Sequence, residues 1–194
     1  MTTAVATDVG REIKTLEEEL LKTKQKLVEL RKARSGEVVE DFELTRGDGS
    51  KVRISELFGN SDDLILVHNM GKSCAFCTLW ADGFTGVYQH LENRAGFALV
   101  SADKHTVMKD FTEGRGWKFT CVSGADSEFT GKMGFLSDKG EPWPGVSSFK
   151  KNADGKIMRV SHTWFGPGDD FCATWHLLDL LADGANKWEP KYSY

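Results

Sequence analysis

Two cysteines separated by two residues, Cys74-Ala75-Phe76-Cys77, form the segment of this sequence best suited to chemistry. The spacing is that of a dithiol able to close a ring, provided that the first sulfur is held as a thiolate. A helix starting at Cys74 supplies that condition. Its unpaired amide groups and dipole stabilise the anion and draw the thiol from ~8.5 towards 3.5–7.5. Three residues on, the second sulfur sits one turn further in, within reach of a mixed disulfide formed on the first. Cys74 is therefore read as the nucleophile and Cys77 as the resolving thiol. The partners expected are a protein or small-molecule disulfide and an external thiol reductant, and no bound cofactor is needed.

Several neighbours are candidates for support. His68, near the end of the apolar run before the cysteines, would shuttle a proton to the resolving thiol, or else is a satisfied buried histidine. Lys72 lies two residues upstream of Cys74, where its charge would favour the thiolate unless the side chain is simply solvated. Trp80 and Asp82 would cover the disulfide and accept a proton; helix-face packing and solvation are the plainer alternatives. Asp103 is read as a helix N-cap. A second constellation competes: Cys172 and His176, spaced i and i+4 on one helix face, would complete a zinc site with Cys74 and Cys77. The plainer reading makes Cys172 and Cys121 core residues.

These residues need a scaffold, and the sequence outlines one. Leu64 to Asn69 is a continuous apolar run, as expected of a strand buried on both faces. Ala75 to Arg94 has helical spacing, and Gly96 to Ser101 reads as a second buried strand. Strand, helix, strand in that order is a βαβ unit with parallel strands and a right-handed crossover. Lys104 to Arg115 reads as a helix and Phe119 to Val122 as a short strand, followed by a glycine-rich connection over 124–145. Ser147 to Lys151 and Lys156 to Thr163 flank Asn152-Ala153-Asp154-Gly155 in the manner of a hairpin. Asp170 to Asp183 closes the domain as a helix. Ahead of the βαβ unit, Val38 to Leu44 alternates like a strand before a turn at 46–50. The order βαβαβ then ββα is that of a thioredoxin-like α/β fold, a three-layer sandwich with a central mixed sheet.

Before this core, Asp8 to about Arg34 reads as a long polar helix. Ile13, Leu16, Leu20, Leu27 and Leu30 fall on heptad a and d positions, with Thr23 as the one polar d residue. Such a narrow seam packs on the protein's own domain or forms a homodimer contact. The organisation expected is an N-terminal helical extension over 1–36, a thioredoxin-like domain over 37–188 and a C-terminal tail over 189–194.

Composition narrows the class. With 194 residues, 40% hydrophobic and 28% charged, the chain suits one globular domain plus an appendage. A net charge of −4 without a dense basic patch argues against nucleic acid as a partner. The first residues lack a secretory pattern, and no apolar run approaches the ~20 residues needed to span a bilayer. A cytoplasmic location without membrane contact is expected, and four cysteines in a reducing compartment point to redox or metal chemistry rather than to structural disulfides.

The stretches Asp48-Gly49 to Leu57-Phe58, Leu64 to Met70, Cys74-Ala75-Phe76-Cys77-Thr78-Leu79-Trp80-Ala81-Asp82 and Gly114 to Phe119, in that order, are specific enough to compare. The pattern resembles a bacterial family of thioredoxin-like proteins, the DUF899 group, sometimes labelled predicted dithiol-disulfide oxidoreductases. The likeness covers most of the chain, and the cysteine segment with its Trp-Ala-Asp tail is its most specific part. It implies a thioredoxin-like sheet and a redox-type cysteine pair, but no particular substrate. Thioredoxins at large carry a cis-proline in the loop facing the cysteine pair. The equivalent stretch here is Pro144 to Phe149, with Val146-Ser147 at that dipeptide, so Ser147 is expected to offer contacts to a partner.

Three functions are compatible with this reading. Thiol–disulfide exchange leads. Peroxide reduction of the peroxiredoxin kind is the second, although the Pro-x-x-x-Thr-x-x-Cys neighbourhood of those enzymes is missing around Cys74. A non-catalytic binding or assembly module is the third.

Overall fold

The computed structural model describes residues 2–194; Met1, at the head of the stretch read above for a secretory signal, lies outside them. The chain divides into two units, Met1–Gly36 and Glu37–Tyr194. The first is helix α1 (Thr2–Ala33), whose last turn carries Arg31 and Lys32, complementing the carbonyl end of the helix dipole. Its seam residues Ile13, Leu16, Leu20, Leu27 and Leu30 are exposed. No described helix is long and apolar enough to cross a membrane.

The second unit opens with β1 (Glu37–Val39), β2 (Glu43–Arg46), β3 (Lys51–Arg53) and the single turn α2 (Ile54–Leu57). The βαβ unit follows as β4 (Asp63–Asn69), α3 (Ala75–Thr85), α4 (Tyr88–Glu92) and β5 (Gly96–Ser101). Next come α5 (His105–Arg115), β6 (Thr120–Ser123), α6 (Phe129–Lys132), the hairpin β7 (Gly145–Lys151) and β8 (Ile157–Trp164), and α7 (Ala173–Leu178).

All eight strands join one sheet in the order β1-β8-β7-β4-β5-β6-β2-β3. Strands β4, β5 and β6 are mutually parallel, as the crossovers require, and β7 pairs antiparallel with β4. Only residues 40–42 separate β1 from β2, yet five strands lie between them in the sheet. At about 3.3–3.6 Å per residue that link cannot cross five strands spaced about 4.8 Å apart, so the sheet curls until its ends approach.

Alternation of side chains sorts the interior into two cores. Leu64 and Leu66 of β4, Ala98 and Val100 of β5, and Phe129, Phe135 and Phe149 form one. Val67, Phe97 and Leu99 face the other, which holds Cys77, Trp80, Trp117, Phe119, Phe165 and Trp175.

The sequence-based boundaries shift in four places. Val38 to Leu44 is two strands, not one, because the chain crosses from one end of the curled sheet to the other at residues 40–42. The helix expected over Ala75 to Arg94 stops at Thr85 and resumes at Tyr88, with Gly86 as the break. The closing helix is reduced to Ala173–Leu178. The glycine-rich connection contains α6, which brings the buried Phe129 into the first core.

Candidate active site

Strand β4 is buried over its last four residues and delivers the chain to the carboxyl end of the parallel strands, the usual location of sites in open α/β sheets. A tight turn follows. Gly71 sits at φ +100°, and a Cβ there would lie 2.7 Å from the Asp103 carboxylate, so the position needs glycine both for conformation and for space. The carboxamide oxygen of Asn69 accepts the Gly71 N–H at 2.8 Å, and Asp103 Oδ2 accepts the Lys72 N–H at 2.6 Å. The Cys74 N–H donates to the Gly71 carbonyl at 3.2 Å. Three hydrogen bonds thus fix the turn immediately ahead of the first cysteine.

Cys74 is the N-cap of α3, with its sulfur in the place normally taken by a serine or aspartate oxygen. Cys74 Sγ accepts the Cys77 N–H at 3.0 Å. The Cys74 carbonyl accepts the Thr78 N–H at 3.1 Å and the Thr78 hydroxyl at 3.0 Å. Asn69 Nδ2 donates to the Cys77 carbonyl at 3.4 Å, so one side chain braces both the turn and the first helical turn. Cys74 is partly exposed and Cys77 is buried; both are free thiols.

This asymmetry separates the two titrations. A hydrogen bond from the Cys77 thiol, helped by the N–H groups of Cys77 and Phe76, draws Cys74 down from 9.0 to about 7 against the opposing effect of burial. The same sulfur–sulfur hydrogen bond, burial and the charge on Cys74 push Cys77 far up. One thiol is thus poised as the anion and its neighbour is held as the proton-bearing partner.

Beyond the pair, Trp80 is buried and its Nε1–H donates to Asp169 Oδ1 at 3.3 Å, tying α3 to the loop before α7. Asp82 pairs with Arg115 and accepts the Trp117 Nε1–H at 2.8 Å. The Arg115 guanidinium also donates to the Tyr192 carbonyl at 2.6 Å. Both carboxylate oxygens of Asp82 are therefore engaged in a tie between α3, α5 and the C-terminal segment. That segment alternates: Trp188 packs on Trp175, Pro190 is buried, and the ring of Tyr192 meets Phe111.

Other sequence-predicted residues lie elsewhere. His68 and Ser147 face the first core, on the side of the sheet away from Cys77, because strand residues alternate between faces. His68 Nε2 and Ser147 Oγ share a hydrogen bond of 2.9 Å, and the imidazole is stacked on Phe135 and Phe129. Burial, with the charges of Arg159 and His162, lowers His68 from 6.5 to about 3. His68 is thus a buried neutral histidine, not a proton shuttle, and Ser147 is fully enclosed and offers no contact to a partner. Among the described residues no peptide bond is cis, and β7 begins directly after Pro144.

Lys72 acts through its backbone, and its charge is not among the causes of the Cys74 shift. Asp103 does not cap α5, whose N-cap is Lys104. The zinc constellation of Cys74, Cys77, Cys172 and His176 does not converge: among the described residues no three metal-ligating side chains come together. The sequence reading missed Asn69, Thr78 and Asp103 as props of the cysteine turn. The signal for the first was an asparagine two residues ahead of a glycine at a strand end.

The sequence matches the family model described as "Bacterial protein of unknown function (DUF899)" over residues 10–194. The chain belongs to the DUF899 family. No curated protein matches it significantly. Among solved structures, the peroxidoxin BcpB from Mycobacterium tuberculosis is similar at 24% identity and TM-score 0.54, over 68% of this chain and 85% of that one. Reduced Prx3 in complex with H2O2 from Vibrio vulnificus is similar at 16% identity and TM-score 0.56, over 70% of this chain and 90% of that one. A peroxiredoxin-like protein from Aquifex aeolicus gives 17% identity and TM-score 0.54, over 68% and 75%. These likenesses establish the thioredoxin-like fold of the second unit.

Proposed function

We propose that this DUF899 protein is a dithiol–disulfide oxidoreductase in which Cys74 attacks and Cys77 resolves. The observation that carries the reading is the Cys74 sulfur at the helix cap, accepting the Cys77 N–H at 3.0 Å and lowered to about 7. At neutral pH such a thiol is about half ionised, against roughly one per cent for a thiol at 9.0, so attack is not limited by the supply of thiolate.

The Cys74 thiolate attacks one sulfur of a substrate disulfide. A Cys74–substrate disulfide forms, the substrate S–S bond breaks, and the other half leaves as a thiolate that takes up a proton. Cys77 then gives up its proton and attacks the Cys74 sulfur. This releases the second substrate thiolate and leaves a Cys74–Cys77 disulfide. An external dithiol supplies two electrons and two protons to restore the reduced pair. Burial of Cys77 keeps it out of the first step, and its contact with Cys74 admits it to the second.

A second reading draws on the peroxidoxin and peroxiredoxin names of the similar structures. In it the Cys74 thiolate attacks the terminal oxygen of a peroxide. The O–O bond breaks, the leaving oxygen takes a proton, and a sulfenic acid remains. Cys77 condenses with that acid to give the same disulfide and water. Single-turnover rates of the reduced protein with a disulfide and with hydrogen peroxide separate the two.

Ultraviolet absorbance of the thiolate, followed against pH, is the test of the proposal. We expect one ionisation near 7, absent in Cys74→Ser, and a Cys74–Cys77 cross-link in peptide maps after mild oxidation. A Cys74 that titrates near 9, together with no cross-link, overturns it.

A further inference from the structure

Next to the cysteine turn lies a groove of about 490 Å³, within the 300–1,000 Å³ range of small-ligand sites. Its walls are aromatic: Phe76, Trp175 and Trp188, with Pro167 beside them. Phe76 is one of the two residues between the cysteines, so one wall of the groove belongs to the redox turn itself. The Phe76 and Trp175 rings lie 6.0 Å apart at 29°, and Trp175 and Trp188 lie 6.1 Å apart at 67°, which fixes the three relative to one another.

The charge at the rim bears on the occupant. The rim carries Asp179 and Glu189 against Lys187, a local excess of negative charge that opposes anionic ligands.

The aromatic walls suit an aromatic ring, and the rim disfavours an anion. A cysteine in peptide linkage next to an aromatic residue, with no added negative charge, meets both conditions and carries a sulfur. We propose that this groove binds the neutral, aromatic peptide flank of a disulfide substrate, seating its ring among Phe76, Trp175 and Trp188 and presenting its S–S bond to Cys74. The inference rests on the exchange reading above and names its substrate class; the covalent step is the one balanced there.

The probe is the symmetrical disulfide of N-acetyl-cysteinyl-phenylalaninamide, compared with glutathione disulfide, which is anionic and lacks an aromatic ring. Single-turnover rates of the reduced full chain are expected to favour the aromatic probe by about tenfold or more. Trp188→Leu should bring that preference to within about twofold while leaving the glutathione disulfide rate intact, and Phe76→Ala should lower the ratio of the two rates in the same way. Equal rates for both disulfides in the parent, or a preference untouched by both substitutions in folded protein, overturns the groove and leaves the exchange reading standing. If the reduced protein reacts with neither disulfide, the exchange reading falls. Fluorescence binding of the unreactive thioether isostere then decides the groove: saturable binding lost in Trp188→Leu upholds it, and no binding overturns it.

Discussion

Cys74 and His68 stand six residues apart, on either side of one buried strand end, and both have lowered proton affinities for opposite reasons. At Cys74 the anion is favoured: a thiol and two backbone N–H groups converge on the sulfur, and their effect outweighs burial. At His68 the cation is disfavoured: the ring is enclosed by Phe129 and Phe135, and burial dominates. The first arrangement favours a thiolate at a partly exposed position; the second makes a neutral, buried packing element. A lowered pKa is therefore no mark of function until its cause is named. The difference arises at Gly71, where the chain leaves the strand and begins to present backbone donors instead of apolar rings.

The most drastic way to break the comparison is to remove one of its sulfurs. Cys74→Ser should lower disulfide exchange by roughly three orders of magnitude or more, since no other exposed thiol with a lowered pKa occurs among the described residues. Cys77→Ser should keep the first attack and stall after it, with one substrate half retained on Cys74 as a mass adduct released by added dithiol. Similar rates for both variants, or an adduct on Cys121, would contradict the assignment of roles.

The fold was largely legible in the sequence and the site only in part, for a physical reason. The βαβ register and the hairpin follow from hydrophobic period and turn residues, which are local. The helix start at the cysteine segment is local too, and α3 begins there. What the sequence does not carry is the face on which a strand residue ends up relative to a loop. His68 is tied to the cysteines by nearness along the chain and Ser147 by its likeness in position to the thioredoxin cis-proline, but alternation along β4 and β7 sends both into the opposite core. Asp103 and Asp82 failed in the other direction. Each looked like an ordinary helix-associated carboxylate, and each is committed to a backbone or guanidinium partner at least 31 residues away.

Stability against pH sharpens the contrast with a smaller effect. His68 binds a proton near 6.5 in the unfolded chain and only near 3 in the folded one, so as pH falls from 6.5 towards 3 the unfolded state gains protons first. Folding stability should drop across that window by about 1.4 kcal/mol per pH unit from this group. The double substitution His68→Leu, Ser147→Ala removes both partners of the buried hydrogen bond and should flatten that limb. Cys74 acts at higher pH. Its folded value of about 7 lies below the unfolded 9.0, so reduced protein should gain stability between 7 and 9, and Cys74→Ser should abolish that gain alone. Above 9, Cys77 and Cys121, both raised, turn the slope downward. Denaturant midpoints across pH check all three limbs; an acid limb unchanged in the double variant would mean that His68 is not the group responsible.

The smallest expected effect tests the turn that separates the two environments. Gly71→Ala places a methyl group 2.7 Å from the Asp103 carboxylate at a backbone φ of +100°. Conformational strain and steric conflict together should destabilise by about 2 kcal/mol. Asp103→Ala alone removes one acceptor from the exposed Lys72 N–H, which water can replace, and should stay within about 1 kcal/mol. Because the carboxylate is the object struck by the new methyl, the two substitutions should not add. In the Asp103→Ala background Gly71→Ala should cost only the strain of its φ, about 1 kcal/mol, giving a coupling of similar size. Additive energies would show that the clasp between Asp103 and the turn does not hold the cysteine loop. A coupling that appears in stability but leaves the Cys74 ionisation unmoved would locate thiolate stabilisation wholly within the first turn of α3.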